Sequence, residues 1–253
     1  MPATTRPELN LASFERFESH TWVRPLKERY VRDATLAGYA IARVVKDLTK
    51  FKDAYNKKRG RVPFTTIDGR VKSEGSFFRK LYNLARERGR NSGITQEVLA
   101  DLYTAITDLC GIRFSCPYYD EVGPAIERLV RPHLGGLGYA TDLRDDPRYA
   151  DSDRLDAGDP ATGYRSYHFF IRIPTIIDIY GNSELCLCEV QARTELQHVW
   201  AVKSHDLLYK PETGWDFSDE HVAEDMRQVS NSLRAADQYL ISIRDRARGK
   251  RSR

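Results

Sequence analysis

Hydrophobic positions recur along the chain with two different periods. Between Thr35 and Phe51, the residues Ala37, Ile41, Val44, Val45 and Leu48 keep helical spacing and predict a helix. Phe77, Phe78, Leu81 and Leu84 predict a second helix that begins near Ser73, a residue able to cap it. Val98 to Leu109 predicts a third. The period then drops to two. Ile112, Phe114 and Cys116 alternate with polar partners as far as Pro117, and Tyr167 to Ile179 is a β-rich run that Pro174 interrupts. Glu184 to Arg193 is the clearest strand. It sorts Leu185, Leu187, Glu189, Gln191 and Arg193 onto one face and the small, apolar Cys186, Cys188, Val190 and Ala192 onto the other. Three polar groups in a row opposite a packed face point to a use beyond packing. Thr194-x-x-Gln197 is a capping-box signal for a helix running through Trp200 to about Tyr209. From Asp219 to Ala247, the residues Val222, Met226, Val229, Leu233, Ala236, Leu240 and Ile243 follow steps of four and three, a heptad seam. The preferred reading packs this seam on the protein's own core. The alternatives are self-association and docking of a partner.

Composition narrows the class. The 253 residues are 41% hydrophobic and 30% charged, as in ordinary globular proteins, and no apolar run is long enough to span a membrane. No secretory leader is read at the start, so the expected compartment is the cytoplasm. The net charge of +4 is unevenly placed: Arg244 to Arg253 holds six basic residues and one acid, which leaves 34 basic against 35 acidic elsewhere. A second basic stretch runs from Lys50 to Arg61. Cys110, Cys116, Cys186 and Cys188 have no zinc-like spacing and lie in strand-like runs, which reads as reduced core cysteines. The segment from Asp142 to Gly163 is irregular and carries seven Asp, three Arg and no Lys. No internal repeat or Gly/Ser linker occurs. The organisation expected is a helical extension over residues 1–62, a core over 63–215, and a C-terminal helix with a basic tail over 216–253.

Four segments carry chemistry. In Gly69–Lys80, Arg70 and Lys72 lie on a short strand, Ser73 and Ser76 open a helix, and Lys80 lies about one turn beyond Ser76. Cations and hydroxyls at a helix N-terminus make a cradle for polyphosphate; the same residues also read as a solvated basic face. In Asp108–Arg113, an acid at a helix end presents a carboxylate just before a buried strand, suited to Mg²⁺ held jointly with substrate phosphates or to an ion pair with Arg113. In Gly163–His168, Tyr164 could stack on a base while Arg165 and His168 meet phosphate or sugar; the alternative is an aromatic edge strand. In the fourth segment, Glu189, Gln191 and Arg193 offer a base, an amide and a phosphate clamp on one strand face, followed by His198 and His205.

In this order, R-V-K-S-x-x-S-x-x-x-K, D-x-x-G-I-R, G-Y-x-S-x-H and E-V-Q-x-R-T resemble the synthetase domain of the RelA/SpoT-type alarmone synthetases, from about Gly69 to Lys210. The resemblance is to a stand-alone small synthetase. It implies transfer of the β,γ-pyrophosphate of ATP to a ribose 3′-hydroxyl. By position, Arg70 would hold the adenine; Lys72, Ser73, Ser76 and Lys80 the phosphates; and Arg113 the donor phosphates nearby. Asp108 would ligate Mg²⁺, and Glu189 would activate the hydroxyl and share the metal. Tyr164 would stack on the acceptor base, with Arg165 and His168 beside it, while Gln191 and Arg193 order the site. The fold expected is α+β, a mixed sheet of about five strands flanked by helices, with the active cleft across the sheet edge.

One departure bears on the acceptor. Members that act on GDP or GTP carry a lysine-bearing K-P-x-G-Y context, where this chain reads Asp159-Pro160-Ala161-Thr162-Gly163-Tyr164. The Asp142 to Gly163 segment nets −4, which would repel a free polyphosphate. The family resembled includes a toxic branch whose acceptor is the tRNA 3′-CCA adenosine, and the two basic stretches could follow tRNA phosphates. tRNA is therefore preferred, with GDP or GTP as the alternative and an adenine nucleotide third. An antitoxin protein and a homo-oligomer through the 219–247 helix are the other partners considered. The rivals are a non-catalytic nucleotide- or RNA-binding regulator and a nucleotidyltransferase.

Overall fold

In the computed structural model, Ser13 takes an extended conformation and its hydroxyl accepts the Arg16 N–H at 3.3 Å, opening the short helix α1 (Phe14–Glu18). The structure describes residues 9–90, 93–143, 145, 148, 151–155, 157–176, 183–208 and 220–249. Of the expected features, Ile177 to Ile179, Tyr209, Lys210, Asp219, the last residues of the basic tail and the side chain of His205 lie outside them.

Helix α2 (Arg24–Arg59) contains the expected helix but starts well before Thr35. Leu26 and Tyr30, one turn apart, are buried, so the apolar stripe continues N-terminally between charged neighbours. At the other end, the basic stretch from Lys50 forms the last turns of α2 and stops at Gly60, whose φ is +85°. Helix α3 (Glu74–Gly89) does start after Ser73, but the Ser73 hydroxyl makes no cap bond and instead donates to Ser76 Oγ at 2.9 Å. Helix α4 (Gln96–Thr104), capped by Thr95, ends five residues short of Leu109. Sheet pairing competes for that residue: Leu109 O accepts the Lys72 N–H at 2.9 Å. Asp108 therefore sits in the link between helix and strand rather than at a helix end.

The sheet has five strands: β1 (Thr66–Val71), β2 (Cys110–Cys116), β3 (Ser152–Asp153), β4 (Tyr167–Ile176) and β5 (Ser183–Thr194). Their order is β1-β2-β5-β4-β3, and the sheet is mixed. Bonds from Thr65 N–H to Ser115 O and from Lys72 N–H to Leu109 O make β1 and β2 antiparallel. β3 is antiparallel to β4, with Ser152 opposite His168. Pro174 does not interrupt β4. Arg172 pairs outward with Ala140, and Pro174, two residues on, faces the same side beyond that bridge, where its missing N–H breaks no ladder bond. β5 alternates as expected: Cys188, Val190 and Ala192 are buried, while Leu185 is 64% exposed.

Between β2 and β3, helix α5 (Tyr119–Ala125) passes through a π-helical turn (Ile126–Val130) into α6 (Arg131–Gly136). Pro132 has no N–H for the carbonyl of Arg128, four residues back, and the π-turn stands just ahead of it. Thr194 and Gln197 form a complete capping box: Gln197 N–H donates to Thr194 Oγ1 at 3.1 Å and Thr194 N–H to Gln197 Oε1 at 3.0 Å. The helix they start is α7 (Glu195–Leu208), and α8 (Glu220–Gly249) follows.

The chain forms two compact units, each discontinuous in sequence. The first (residues 1–42, 70–111 and 173–189) has an aromatic-rich core in which Phe17, Tyr30, Phe77, Phe78, Leu81 and Tyr103 are buried together. The second (43–69, 112–172 and 190–253) contains α5 to α8. Here the heptad reading of α8 is corrected. Met226 is buried, but Val229, Leu240 and Ile243 are 47%, 40% and 43% exposed. The buried positions are instead Met226, Ser230 and Asp237. The polar pair is accommodated because each side chain is hydrogen-bonded, Ser230 to Gly163 O and Asp237 to Thr194 Oγ1. The described part of the Asp142 to Gly163 segment contributes β3, and two of its acids are in ion pairs: Asp151 with Arg131, and Asp159 with Arg154 at 2.7 Å.

Candidate functional site

In the first unit, β1 delivers Arg70 to its exposed end, and the chain turns at Lys72 into α3. The Tyr30 hydroxyl donates to Lys72 O at 2.6 Å and fixes that turn. Ser73 and Ser76 lie exposed at the start of α3. Lys80, just over one turn beyond Ser76, points back, so its ammonium meets Asp108 Oδ1 at 3.0 Å while Lys72 meets Oδ2 at 2.8 Å. Burial pushes the Asp108 carboxyl up, but Lys80 and Lys72 outweigh it and hold the group below the ordinary carboxylate range. Asp108 is thus an ionised acid between two lysines, one of which leads directly into the exposed Ser73 and Ser76 hydroxyls at the start of α3. Phosphate oxygens can replace the carboxylate on these lysines, and the carboxylate is then available to a cation. Glu189, also in this unit, lies half-buried on the polar face of β5.

In the second unit, Tyr164 is held by its hydroxyl, which donates to Gln191 Oε1 at 3.4 Å and lies 3.1 Å from His168 Nε2. Its ring is edge-on to His168 and 6.2 Å from Trp200. The approach to Tyr164 is a tight turn. Asp159 Oδ1 accepts from the N–H groups of Ala161 and Thr162 and from Thr162 Oγ1, and Gly163 follows at φ +79°. A Cβ on Gly163 would come within 3.1 Å of Arg227 Cα and of Ser230 Cβ. Arg165 and Arg193 are buried. Arg165 donates to Ser230 Oγ, Asn231 Oδ1 and Leu155 O. Arg193 Nη2 lies 3.1 Å from His198 Nδ1; a guanidinium only donates, so Nδ1 is the acceptor and His198 is neutral there. Burial, and then the charges of Arg193 and Arg113, hold His198 below its ordinary value. Arg113 therefore stands near Arg193 and His198.

The structure thus brings Lys72 and Lys80 together on Asp108, and Tyr164, His168 and Gln191 together by hydrogen bonds. It places the Arg165 guanidinium against α8. Sequence reasoning missed that α8 holds the tyrosine segment, through Ser230 and Asn231, and that Asp237 anchors the start of α7. The available signal was Ser230 and Asp237 themselves, two polar residues seven apart and hence on one helical face.

The model of the region found in RelA / SpoT proteins matches residues 69–214, more than half the chain. The chain belongs to the RelA/SpoT family. As a RelA/SpoT protein it is a pyrophosphotransferase. Solved structures share the fold. The small alarmone synthetase 1 of Bacillus subtilis bound to its product pppGpp is 20% identical, with TM-score 0.65, over 87% of this chain and 98% of that one. A GTP pyrophosphokinase family protein of Streptococcus pneumoniae is 20% identical, with TM-score 0.62, over 85% and 94%. The Bacillus subtilis enzyme bound to AMPCPP is 21% identical, with TM-score 0.57, over 87% and 98%. No curated protein matches this RelA/SpoT chain. Among its described residues, no helix is long and apolar enough to cross a membrane.

Proposed function

We propose that the protein moves the β,γ-pyrophosphate of ATP to the ribose 3′-hydroxyl at the CCA end of tRNA. The donor side rests on the Lys72–Asp108–Lys80 arrangement. ATP phosphates take the lysines and the N-terminus of α3, with the Ser73 and Ser76 hydroxyls beside them and Arg70 against the adenine. Among the described residues, no group of three or more His, Cys, Asp or Glu could hold a metal ion by itself. Mg²⁺ does not need one, since it binds through one or two carboxylates plus substrate phosphates, and an ionised Asp108 with Glu189 fits that donor set. When bound, the cation would neutralise charge on the transferring phosphates. Glu189 accepts the proton of the 3′-hydroxyl, the oxygen attacks the β-phosphorus, and the bond to the α-phosphate oxygen breaks to release AMP. Tyr164, held by Gln191 and His168, stacks on the acceptor base, and Arg165 and Arg193 position that segment from within.

The observation that carries the choice of acceptor is the use of Arg165 and Arg193. Both are buried and bonded to protein groups, and the turn before Tyr164 carries Asp159 instead of a lysine. A tRNA end brings no terminal polyphosphate to be clamped there. The expected repulsion by the acidic segment contributes less, because Arg131, outside the segment, pairs with Asp151. GDP or GTP is the second reading, favoured by the pppGpp bound to the Bacillus subtilis neighbour.

The test offers purified protein and γ-labelled ATP, with Mg²⁺, deacylated tRNA, GDP, GTP and AMP in parallel. Label is expected in tRNA, with AMP as co-product, and absent when the terminal ribose has been opened with periodate. Label in GDP or GTP alone moves the assignment to the second reading. Release of inorganic pyrophosphate in place of AMP identifies a nucleotidyltransferase instead.

A further inference from the structure

A cavity of about 460 Å³ lies within the second unit, between the last turns of α2 and the helix formed by the π-turn and α6. This is within the size range of small-ligand sites. None of its lining residues belongs to the donor or acceptor groups described above. One wall is aromatic: the Phe51 and His133 rings are stacked with centroids 4.3 Å apart, and the Tyr55 ring is 5.9 Å from Phe51. The cavity also has two cations, Lys58 and Arg128, and no carboxylate among its lining residues. Among the described residues, neither cation makes an ion pair. Arg128 and Leu129 reach the cavity from the π-turn, a rare helical form that recurs at functional sites.

We propose that this cavity is a second nucleotide-binding site, taking a nucleoside phosphate. The base lies along the Phe51, Tyr55 and His133 wall, and the phosphate meets Lys58 and Arg128. A purely apolar ligand would leave the cations unused, and a bare anion would leave the aromatic wall unused. The site gives the basic end of α2 a binding partner next to an aromatic wall, beyond the following of tRNA phosphates expected of that stretch. The nucleoside phosphate is either a free nucleotide or one residue of an RNA strand, and the experiment separates these sources.

Full-length protein is photolabelled in two arms, with 8-azidoadenosine 5′-monophosphate and with a short RNA carrying 4-thiouridine, and the adducts are mapped by mass spectrometry. Adducts on peptides spanning Phe51 to Lys58 or Arg128 to His133 are expected in at least one arm. The nucleotide arm alone assigns a free nucleotide, and the RNA arm alone assigns a strand. Lys58→Glu with Arg128→Glu should cut that labelling roughly tenfold or more, since each charged hydrogen bond is worth about that factor. Both residues are exposed, so melting should remain as in wild type. Lys57→Glu, which reverses an exposed neighbouring charge outside the lining, should leave labelling within about twofold. Absence of adducts on these peptides in both arms overturns the site. An equal loss in Lys57→Glu also overturns it, because general charge attraction would then account for the labelling.

Discussion

Asp108 shows how a single carboxylate ties stability to chemistry. Its native carboxyl is held below the ordinary range because Lys80 and Lys72 outweigh its burial. The stabilisation it supplies is therefore complete above the carboxylate's unfolded pKa, and is lost as pH falls through the lower native value. Asp108→Asn should flatten the acid side of a melting-temperature profile; superimposable acid limbs in mutant and wild type would contradict this. In transfer assays, Asp108→Asn and Glu189→Gln should each lower the rate by roughly 100-fold or more, with unchanged circular dichroism. That Lys72 and Lys80 share one cradle was legible in the sequence, because one helical turn beyond Ser76 brings Lys80 back; that Asp108 pairs with both, rather than with Arg113, was not, since it arises from the distant pairing of Lys72 with Leu109. The orientation of Arg165 was not. Its guanidinium is directed by Ser230 and Asn231, more than sixty residues later, and no local pattern encodes that contact.

At the scale of elements, local signals succeeded where local bonds decide. Thr194 and Gln197 cap α7 reciprocally, as their spacing implies. Thr194→Ala removes that cap and the bond to Asp237, and should cost about 1–2 kcal/mol in urea unfolding. An unchanged midpoint would show that the box is incidental. Helix α4 ended early because β1 captures Leu109, and α8 turned its apolar heptad outward because Ser230 and Asp237 have partners in the core. Both are tertiary outcomes overriding a correct periodicity. Gly163 is a further element-scale constraint. Gly163→Ala sets an alanine at φ +79° and drives its methyl against α8, so transfer to the acceptor should fall at least about tenfold and stability by about 1–3 kcal/mol. Wild-type transfer in this variant would remove the turn from the presentation of Tyr164.

Across the whole molecule, the five-stranded sheet and its flanking helices were legible, whereas the division into two discontinuous units was not, since it arises from pairings distant in sequence. All four cysteines are free thiols. Burial, with Glu121 and Glu195 adding to it, pushes Cys116 up to about 12, so little thiolate exists at neutral pH. Native protein at pH 7.5 should leave Cys110, Cys116 and Cys188 unmodified by iodoacetamide, with all becoming reactive in guanidinium. Rapid native alkylation of Cys116 would contradict its burial. The contact behind Gly163 has one more consequence. The obstacle there is partly the Arg227 Cα atom itself, so trimming neighbouring side chains does not make room. A suppressor screen begun from an alanine at 163 should return reversions to glycine far more often than compensating changes along α8, and this turn should be among the least permissive stretches of the chain in any mutational library.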